Sequence, residues 1–175
     1  MARKSKRAPP KRVTVKKTES HKRGFKAKPA RKFALFAVGV EKFCIDLDNI
    51  TEILDTYEVL PAAHLPHVFA GIAKLQGTSV PVISMRKLLS ENDVDASTQT
   101  CVLTAVGAAP LALLVDSDVT IATSRKGKLL PLPDCYTKDE AEFLEGIFWI
   151  EDSLYGILKP TQMVEKLAQW RRTHE

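Results

Sequence analysis

The amino-acid sequence predicts a mainly β body of small closed or half-closed barrels, preceded by a disordered basic tail. Short apolar runs recur along the chain from Phe33 to Leu158, and glycine-containing turns separate many of them. Many short strands at close spacing are typical of small barrels rather than of a parallel sheet. With 175 residues and an apolar content of 45%, the chain can bury one sizeable core or two small ones.

The tail differs from the rest of the chain in charge and in apolar content. Residues 1–32 carry 14 Lys or Arg and the single acid Glu19, for a net charge of +13, whereas residues 33–175 sum to −8. After the initiator, only three large apolar residues occur in this stretch, too few to offset the entropy of ordering it. We therefore predict a disordered basic tail over 1–32 and a folded body over 33–175.

The basic runs of the tail, such as Arg3-Lys4-Ser5-Lys6-Arg7, suit phosphate-rich surfaces, whether nucleic acid or anionic lipid. An acidic protein partner and a merely solubilising or tethering arm are alternatives that charge alone does not separate. The aromatic interleaving expected of a single-strand binder is absent, because Phe25 is alone.

Within the body, the runs are ordered into hairpins and brief helices. Gly39-Val40-Glu41 and Gln76-Gly77-Thr78 are predicted turns between paired strands. Apolar residues recur at helical spacing from Leu47 to Leu54, with Asp48 as the cap, and predict a first short helix. Later helices are predicted around residues 85–89 and over 161–172. The other predicted strands lie at residues 101–106, 111–115, 119–123, 129–132, 147–150 and 154–158.

Nothing in the sequence indicates a reaction centre. The phosphate-cradling patterns GxGxxG and GxxxxGK[ST] and the nucleophile pattern GxSxG do not occur. His64 and His67 are the only close pair of imidazoles, but Pro66 breaks the helix that would align them. We therefore expect no enzyme, with no catalytic residue, no metal ligand and no cofactor.

The cysteines and the hydropathy pattern bear on localisation. Cys44, Cys101 and Cys135 form no CxxC pair, and we interpret them as buried reduced thiols. No stretch approaches the roughly 18–20 consecutive apolar residues that a bilayer span needs, and no apolar segment follows the basic N-terminus as in a secretory signal. The sequence therefore favours a cytoplasmic location.

Four segments of the body resemble one known family. Residues 71–89 combine a glycine, an apolar strand, a turn, a Val-Pro-Val strand and an Arg-containing helix. Leu113-Leu-Val-Asp116 matches an apolar strand ending in Val-Asp, and residues 143–147 and 153–158 match a closing strand pair. In this order they resemble the chemotaxis coupling proteins, or CheW-like domains, over residues 33 to about 166.

This resemblance implies two small five-stranded β-barrels packed together and a scaffold role without catalysis. It implies as partners the cytoplasmic tip of a methyl-accepting chemoreceptor and the regulatory domain of a chemotaxis histidine kinase. Localisation would then be cytoplasmic, with receptor arrays at the inner membrane. An alternative of another class is a CheW-fold protein whose basic tail binds nucleic acid or an anionic membrane in a non-chemotaxis role.

The resemblance also assigns partner-binding residues on the predicted first helix. Ile50, Glu52 and Ile53 fall where the family has an apolar-x-Glu-Ile pattern at its partner surface. For the two isoleucines, the core side of a short helix is an equally good interpretation. Glu52, as a charge on the same element, is the better surface candidate.

Two further partner contacts and two backbone positions are implied in the same way. Gln76 stands where the family usually has an arginine, and a neutral amide cannot make the charge-assisted contact that an arginine makes. Ala112 occupies a position that is commonly a glycine at the groove between the barrels. Gly71 and Gly77 are expected to serve the backbone, by allowing a turn or a close approach.

Overall fold

The mainly β prediction is confirmed by the structure, a computed structural model in which two sheets pack on each other with a few short helices. The structure describes residues 29–75, 77–89, 92, 94, 98–106 and 109–165. Among these residues each sheet has six strands, one more than the family resemblance implies. No helix of the described part has the length and apolar composition that crossing a membrane requires.

The first sheet is assembled from both ends of the body and has the strand order β10-β11-β12-β2-β1-β9. Its neighbours are antiparallel except for β12 and β2, which run parallel and align Gly156 with Phe43. Its strands are β1 (Lys32–Val38), β2 (Glu41–Asp46), β9 (Thr120–Thr123), β10 (Lys128–Leu130), β11 (Leu144–Ile150) and β12 (Ser153–Leu158).

The second sheet is formed by the stretch of chain between β2 and β9, with the strand order β3-β7-β8-β6-β5-β4. Its one parallel pair is β6 with β8, so each sheet contains a single parallel pair among the described strands. Its strands are β3 (Ile50–Leu54), β4 (Val59–Leu60), β5 (Phe69–Leu75), β6 (Thr78–Ser84), β7 (Thr100–Val106) and β8 (Ala109–Val115).

Three α-helical segments lie in the described part of the chain. α1 (Met85–Leu88) confirms the second predicted helix, and Ser84 caps it by accepting a hydrogen bond from the Lys87 N–H. α2 (Lys138–Phe143) was not predicted, although Thr137 and Glu140 form a capping box whose pattern is visible in the sequence. α3, residues 160–165, confirms the start of the predicted final helix, while the rest of that prediction lies outside the described residues.

The predicted first helix is wrong. Residues 47–49 form one 3-10 turn capped by Asp46, whose side chain accepts from the Asp48 N–H, and β3 begins at Ile50. A register shift between Ile50 and Glu52 marks a bulge that inserts an extra residue. Ile50 then pairs with Thr104 and Ile53 with Val102, which share a face of β7. The bulge thus puts two residues three apart on one face, the spacing that imitates a helix.

Three buried clusters divide the interior. The first-sheet cluster contains only residues of that sheet, the second-sheet cluster only residues of the other, and the central cluster lies between them. On β1, Phe33 and Leu35 enter the first-sheet cluster, whereas Phe36 and Val38 enter the central one. The central cluster is made of Phe36, Val38, Phe43, Ile45, Ile83, Met85, Val102, Leu111, Leu113, Val115, Leu144, Leu158 and Met163.

Two glycines in and next to β5 have backbone conformations with positive φ, but their surroundings differ. Gly71 lies in β5 at φ +152, and a Cβ there would overlap the carbonyl oxygen of Leu60 on the neighbouring β4. Gly77 lies in the β5–β6 turn at φ +78, where a Cβ would meet nothing within 4 Å. Gly71 is thus required by close approach and conformation, and Gly77 by conformation alone.

Replacing each glycine by alanine separates these two causes. We expect Gly71→Ala to lower the free energy of unfolding by at least about 3 kcal/mol, because steric overlap adds to backbone strain. The matched control Gly77→Ala should cost about 1 kcal/mol, from strain alone. Urea unfolding measures both values. Equal losses for the two variants would show that β4 does not approach β5 as described.

Candidate partner-binding surfaces

The two sheets are joined by polar contacts at the end of β8. Asp116 follows this strand, and its carboxylate accepts hydrogen bonds from the Gly39 N–H (2.6 Å), the Gln99 Nε2 (2.8 Å) and the Arg86 Nε (2.9 Å). The Asp116 N–H donates to the Ala37 carbonyl oxygen at 3.0 Å. The Asp116 side chain therefore connects the first hairpin, α1 and the start of β7. We call this set of contacts the Asp116 junction.

The junction favours the charged form of its carboxyl group. Partial burial acts to raise the pKa of Asp116, but the hydrogen bonds from Arg86, Gly39 and Gln99 outweigh it, so the pKa lies below its usual value. A carboxylate held by several donors fixes the angle between the elements that supply them. Any surface that spans both sheets has its geometry set here.

A second polar cluster forms where the chain enters β1. Arg31 donates through Nε to Asp46 at 2.7 Å and through both Nη atoms to Glu145 at 2.7 and 2.9 Å. Its guanidinium lies 4.9 Å from the centroid of the Phe33 ring. The hydrogen bonds from Arg31 lower the pKa of Glu145 and outweigh its partial burial. This arrangement, the Arg31 clamp, connects β2 with β11 ahead of β1.

The Arg31 clamp includes a residue of the segment that the sequence predicts to be a disordered tail. The predicted tail ended at residue 32, but Arg31 binds two carboxylates and Lys32 pairs with Thr123 in the first sheet. The Glu145 side chain is half-exposed and forms an ion pair with Arg31. The predicted tail itself lies almost entirely in residues 1–28, outside the described residues.

β3 carries three of the predicted partner-binding residues and is an edge strand of the second sheet. Ile50, Glu52 and Ile53 are all half-buried. Ile50 packs against the central cluster, and Ile53 lies opposite Val102 on the same face. Glu52 lies opposite Leu103 on the other face. Since only one edge of β3 pairs with a described strand, its other edge and its half-buried isoleucines are open to an additional chain.

The other two predicted contacts have different outcomes. Ala112 is fully buried in the second-sheet cluster, between Val82 on one neighbouring strand and Leu103 on the other. A partner contact through the Ala112 side chain is therefore wrong for this structure, because central strand residues that face a core have no surface to offer. Gln76 lies outside the described residues, although its turn neighbour Gly77 is described.

The cysteines and the histidine pair differ in their exposure to solvent. Cys44 and Cys101 are buried as predicted, and burial raises the pKa of Cys44 to about 12 and of Cys101 to about 11. Cys135 is exposed, so the prediction of a buried thiol is wrong there. His64 and His67 are exposed in the loop between β4 and β5. In the described part of the chain, no group of three or more His, Cys, Asp or Glu could hold a metal ion.

The described residues thus form two packed β sheets that a polar junction holds together, with β3 as an edge strand of the second sheet. A family model, the CheW-like domain, matches residues 32–168. The chain therefore belongs to the CheW-like domain family, a family of scaffold proteins and not of enzymes.

Individual proteins of this family are similar to the chain over most of its length. It is 26% identical over 130 residues to the chemotaxis protein CheW of Rhizobium meliloti (strain 1021), covering 74% of the chain and 84% of that protein. It is 25% identical over 118 residues to the chemotaxis protein CheW of Klebsiella aerogenes, covering 67% and 71%. The crystal structure of the scaffolding protein TtCheW from Thermoanaerobacter tengcongensis matches with a TM-score of 0.64 at 21% identity, covering 75% and 90%, and shares the fold.

The acid sensitivity of the fold follows from the lowered pKa values of Asp116 and Glu145. In the unfolded chain the pKa values of these two groups are about 3.9 and 4.3. The unfolded chain therefore binds more protons than the folded chain in the acid range. Stability therefore rises with pH there. We expect their contribution to be complete above about pH 5 and lost as pH falls below about 4. Urea unfolding at stepped pH measures it.

The variant Asp116→Asn tests the junction within that series. It should lower the free energy of unfolding at neutral pH by about 2 kcal/mol, because an amide cannot accept all of these donors. Its stability should then fall less steeply in acid than that of the parent. Asp118→Asn, two residues further and exposed, is the matched control. Identical acid profiles for parent and Asp116→Asn would contradict the role of the junction.

Proposed function

We propose that this protein is a non-catalytic scaffold that couples chemoreceptors to a chemotaxis histidine kinase. The observation that carries the proposal is the family match over residues 32–168, which spans both sheets and the junction between them. A scaffold needs two separated surfaces on a rigid body. The Asp116 junction and the central cluster supply that rigidity, since they tie the sheets by hydrogen bonds and by apolar burial.

The partners we propose are the cytoplasmic tip of a methyl-accepting chemoreceptor and the regulatory domain of the kinase. Relatives named as chemotaxis proteins support this choice of system. The chain would then act in the cytoplasm, at receptor arrays on the inner membrane. Binding needs no covalent step and no cofactor, because docking on strand edges and apolar patches uses only noncovalent contacts.

We place the kinase contact on β3. Ile53 is half-buried on an edge strand, so it offers an apolar side chain on a strand of which one edge pairs with no other described strand. Glu52 points to the opposite face and would contribute at the rim of the contact. Desolvated apolar residues surrounded by polar ones form the usual centre of such an interface.

Aspartate at Ile53 tests this placement. We expect Ile53→Asp to weaken binding to the kinase regulatory domain by roughly tenfold or more, because a charge is then desolvated in the contact. Calorimetry with the purified kinase domain measures the affinity. The matched control is Ile121→Asp on β9 of the first sheet, which should bind like the parent. Undiminished binding by a folded Ile53→Asp variant would remove β3 from the interface.

Arginine at Gln76 tests whether the β5–β6 turn belongs to an interface. If the partners present carboxylates or carbonyls, as for the family arginine, Gln76→Arg should tighten association by roughly tenfold, since charge-assisted hydrogen bonds are stronger than neutral ones. The gain should shrink as salt is raised. Weaker binding would indicate a partner adapted to the amide. Unchanged affinity for both receptor and kinase domain would place the turn outside the interface.

A further inference from the structure

The first sheet consists of two three-stranded units that meet along one seam. β9, β1 and β2 pair antiparallel and form the β1 unit, and β10, β11 and β12 pair antiparallel and form the β11 unit. The seam between them is the parallel pairing of β2 with β12, which aligns Phe43 with Gly156 and Cys44 with Ile157. Because parallel pairing is slightly less stable per residue than antiparallel pairing, the sheet is most easily opened at this seam.

The Asp116 junction fixes the β1 unit to the second sheet. Asp116 accepts a hydrogen bond from the Gly39 N–H, and its own N–H donates to the Ala37 carbonyl oxygen. The described donors of the junction include no residue of the β11 unit. That unit meets the second sheet in the central cluster, through apolar side chains such as Leu144 and Leu158. Since apolar burial is not directional, the β11 unit is the part of the sheet that can move.

The link between the two units is residues 124–127. At its first residue, the Ser124 N–H donates to the Arg31 carbonyl oxygen at 2.8 Å and the Ser124 hydroxyl accepts from the Arg31 N–H at 3.1 Å, so this end stays with the β1 unit. At its last residue, Gly127 lies so close to the Trp149 carbonyl oxygen that a Cβ would overlap it, so this end stays with the β11 unit. A rotation of one unit against the other therefore falls on the two exposed residues between these ends.

Polar side chains connect the two units at both ends of the seam. Where β2 ends, Arg31 donates through Nε to Asp46 of the β1 unit at 2.7 Å and through both Nη atoms to Glu145 of the β11 unit at 2.7 and 2.9 Å. At the other end, the Lys42 Nζ on β2 donates to the Ser153 hydroxyl on β12 at 2.8 Å. A bidentate pair of guanidinium and carboxylate is strong and directional, so the Arg31 clamp opposes separation of the units more than Lys42 does.

We propose that the β11 unit separates from the β1 unit along the seam, by rotation about residues 124–127, and that the Arg31 clamp keeps this opening rare. The open form is a second conformation of the protein, in which the second sheet and the Asp116 junction are unchanged. Opening of one contiguous unit while the rest of the fold stays intact is a common motion of native proteins. The proposal does not depend on the scaffold role.

Opening of the seam uncovers the first-sheet cluster, which both units share. Phe33 and Cys44 of the β1 unit pack there with Phe148 and Ile157 of the β11 unit, and the ring centroids of Phe33 and Phe148 are 4.9 Å apart. Loss of this burial makes the open form a minor state. The Cys44 thiol is therefore reached by solvent when the seam opens or when the whole chain unfolds.

Two buried cysteines measure the opening in the full-length protein. Cys44 lies on the seam, whereas Cys101 is fully buried in the second-sheet cluster, which the opening leaves intact. In native buffer we expect N-ethylmaleimide to modify Cys44 at least about tenfold faster than Cys101. Mass spectrometry of proteolytic peptides separates both from the exposed Cys135. A Cys44 rate no higher than that of Cys101 overturns the proposal, because global unfolding then accounts for both.

The variant Arg31→Gln tests the clamp with the same two thiols. It should raise the Cys44 rate by about tenfold and leave the Cys101 rate unchanged, because the lost charge-assisted hydrogen bonds cross the seam. Lys74→Gln, at an exposed position of β5 in the second sheet, removes the same charge and should change neither rate. An unchanged Cys44 rate in Arg31→Gln overturns the role of the clamp. An equal rise at both cysteines overturns it as well, since Arg31 would then stabilise the whole fold.

The variant Ser153→Ala tests the other end of the seam and stays informative even where Arg31→Gln does not fold. Loss of the hydrogen bond from Lys42 should raise the Cys44 rate about threefold and leave Cys101 unchanged. Ser79→Ala, at an exposed position of β6, is the matched control and should change neither rate. Equal labelling of Cys44 in Ser153→Ala and in the parent would show that Cys44 is reached by another route and would overturn opening at the seam.

Discussion

The Asp116 carboxylate accepts hydrogen bonds from three parts of the chain that are distant in sequence: Gly39 in the first hairpin, Arg86 in α1 and Gln99 before β7. These donors belong to both sheets and to the helix between them, so the carboxylate fixes how one sheet lies against the other. The central cluster buries apolar side chains from both sheets beneath it. Burial of apolar surface drives the association of the two sheets, and the directional hydrogen bonds select one orientation.

The strands and turns of this fold could be predicted because their signals are local. The runs around Gly39 and Gly77 show the alternation and turn residues of hairpins, and the structure has hairpins there. β3 was missed because its bulge at Thr51 replaces the spacing of a strand by that of a helix turn. A short segment with one irregularity contains too few residues for periodicity to separate the two.

The polar contacts could not be predicted for a different reason. Arg31 and Glu145 are 114 residues apart, and nothing in either segment specifies the other as a partner. The same holds for Ala112, whose burial depends on which strands flank β8 rather than on its own sequence. The resemblance pointed to Asp116 as the end of a motif, but its hydrogen-bond donors emerge only from the three-dimensional arrangement.

In the sequence, all strands of the second sheet lie between β2 and β9 of the first sheet, and this affects the order in which a growing chain can fold. All six strands of the second sheet lie between residues 50 and 115, so it can be completed while synthesis continues. β1 and β2 are synthesised well before their partner strands β9 and β12. Until then β1, an apolar strand whose two faces enter different clusters, remains without its β9 partner. Such a strand is prone to self-association between nascent chains. The dense positive charge that precedes β1 in the sequence makes two nascent chains repel each other, which opposes that self-association.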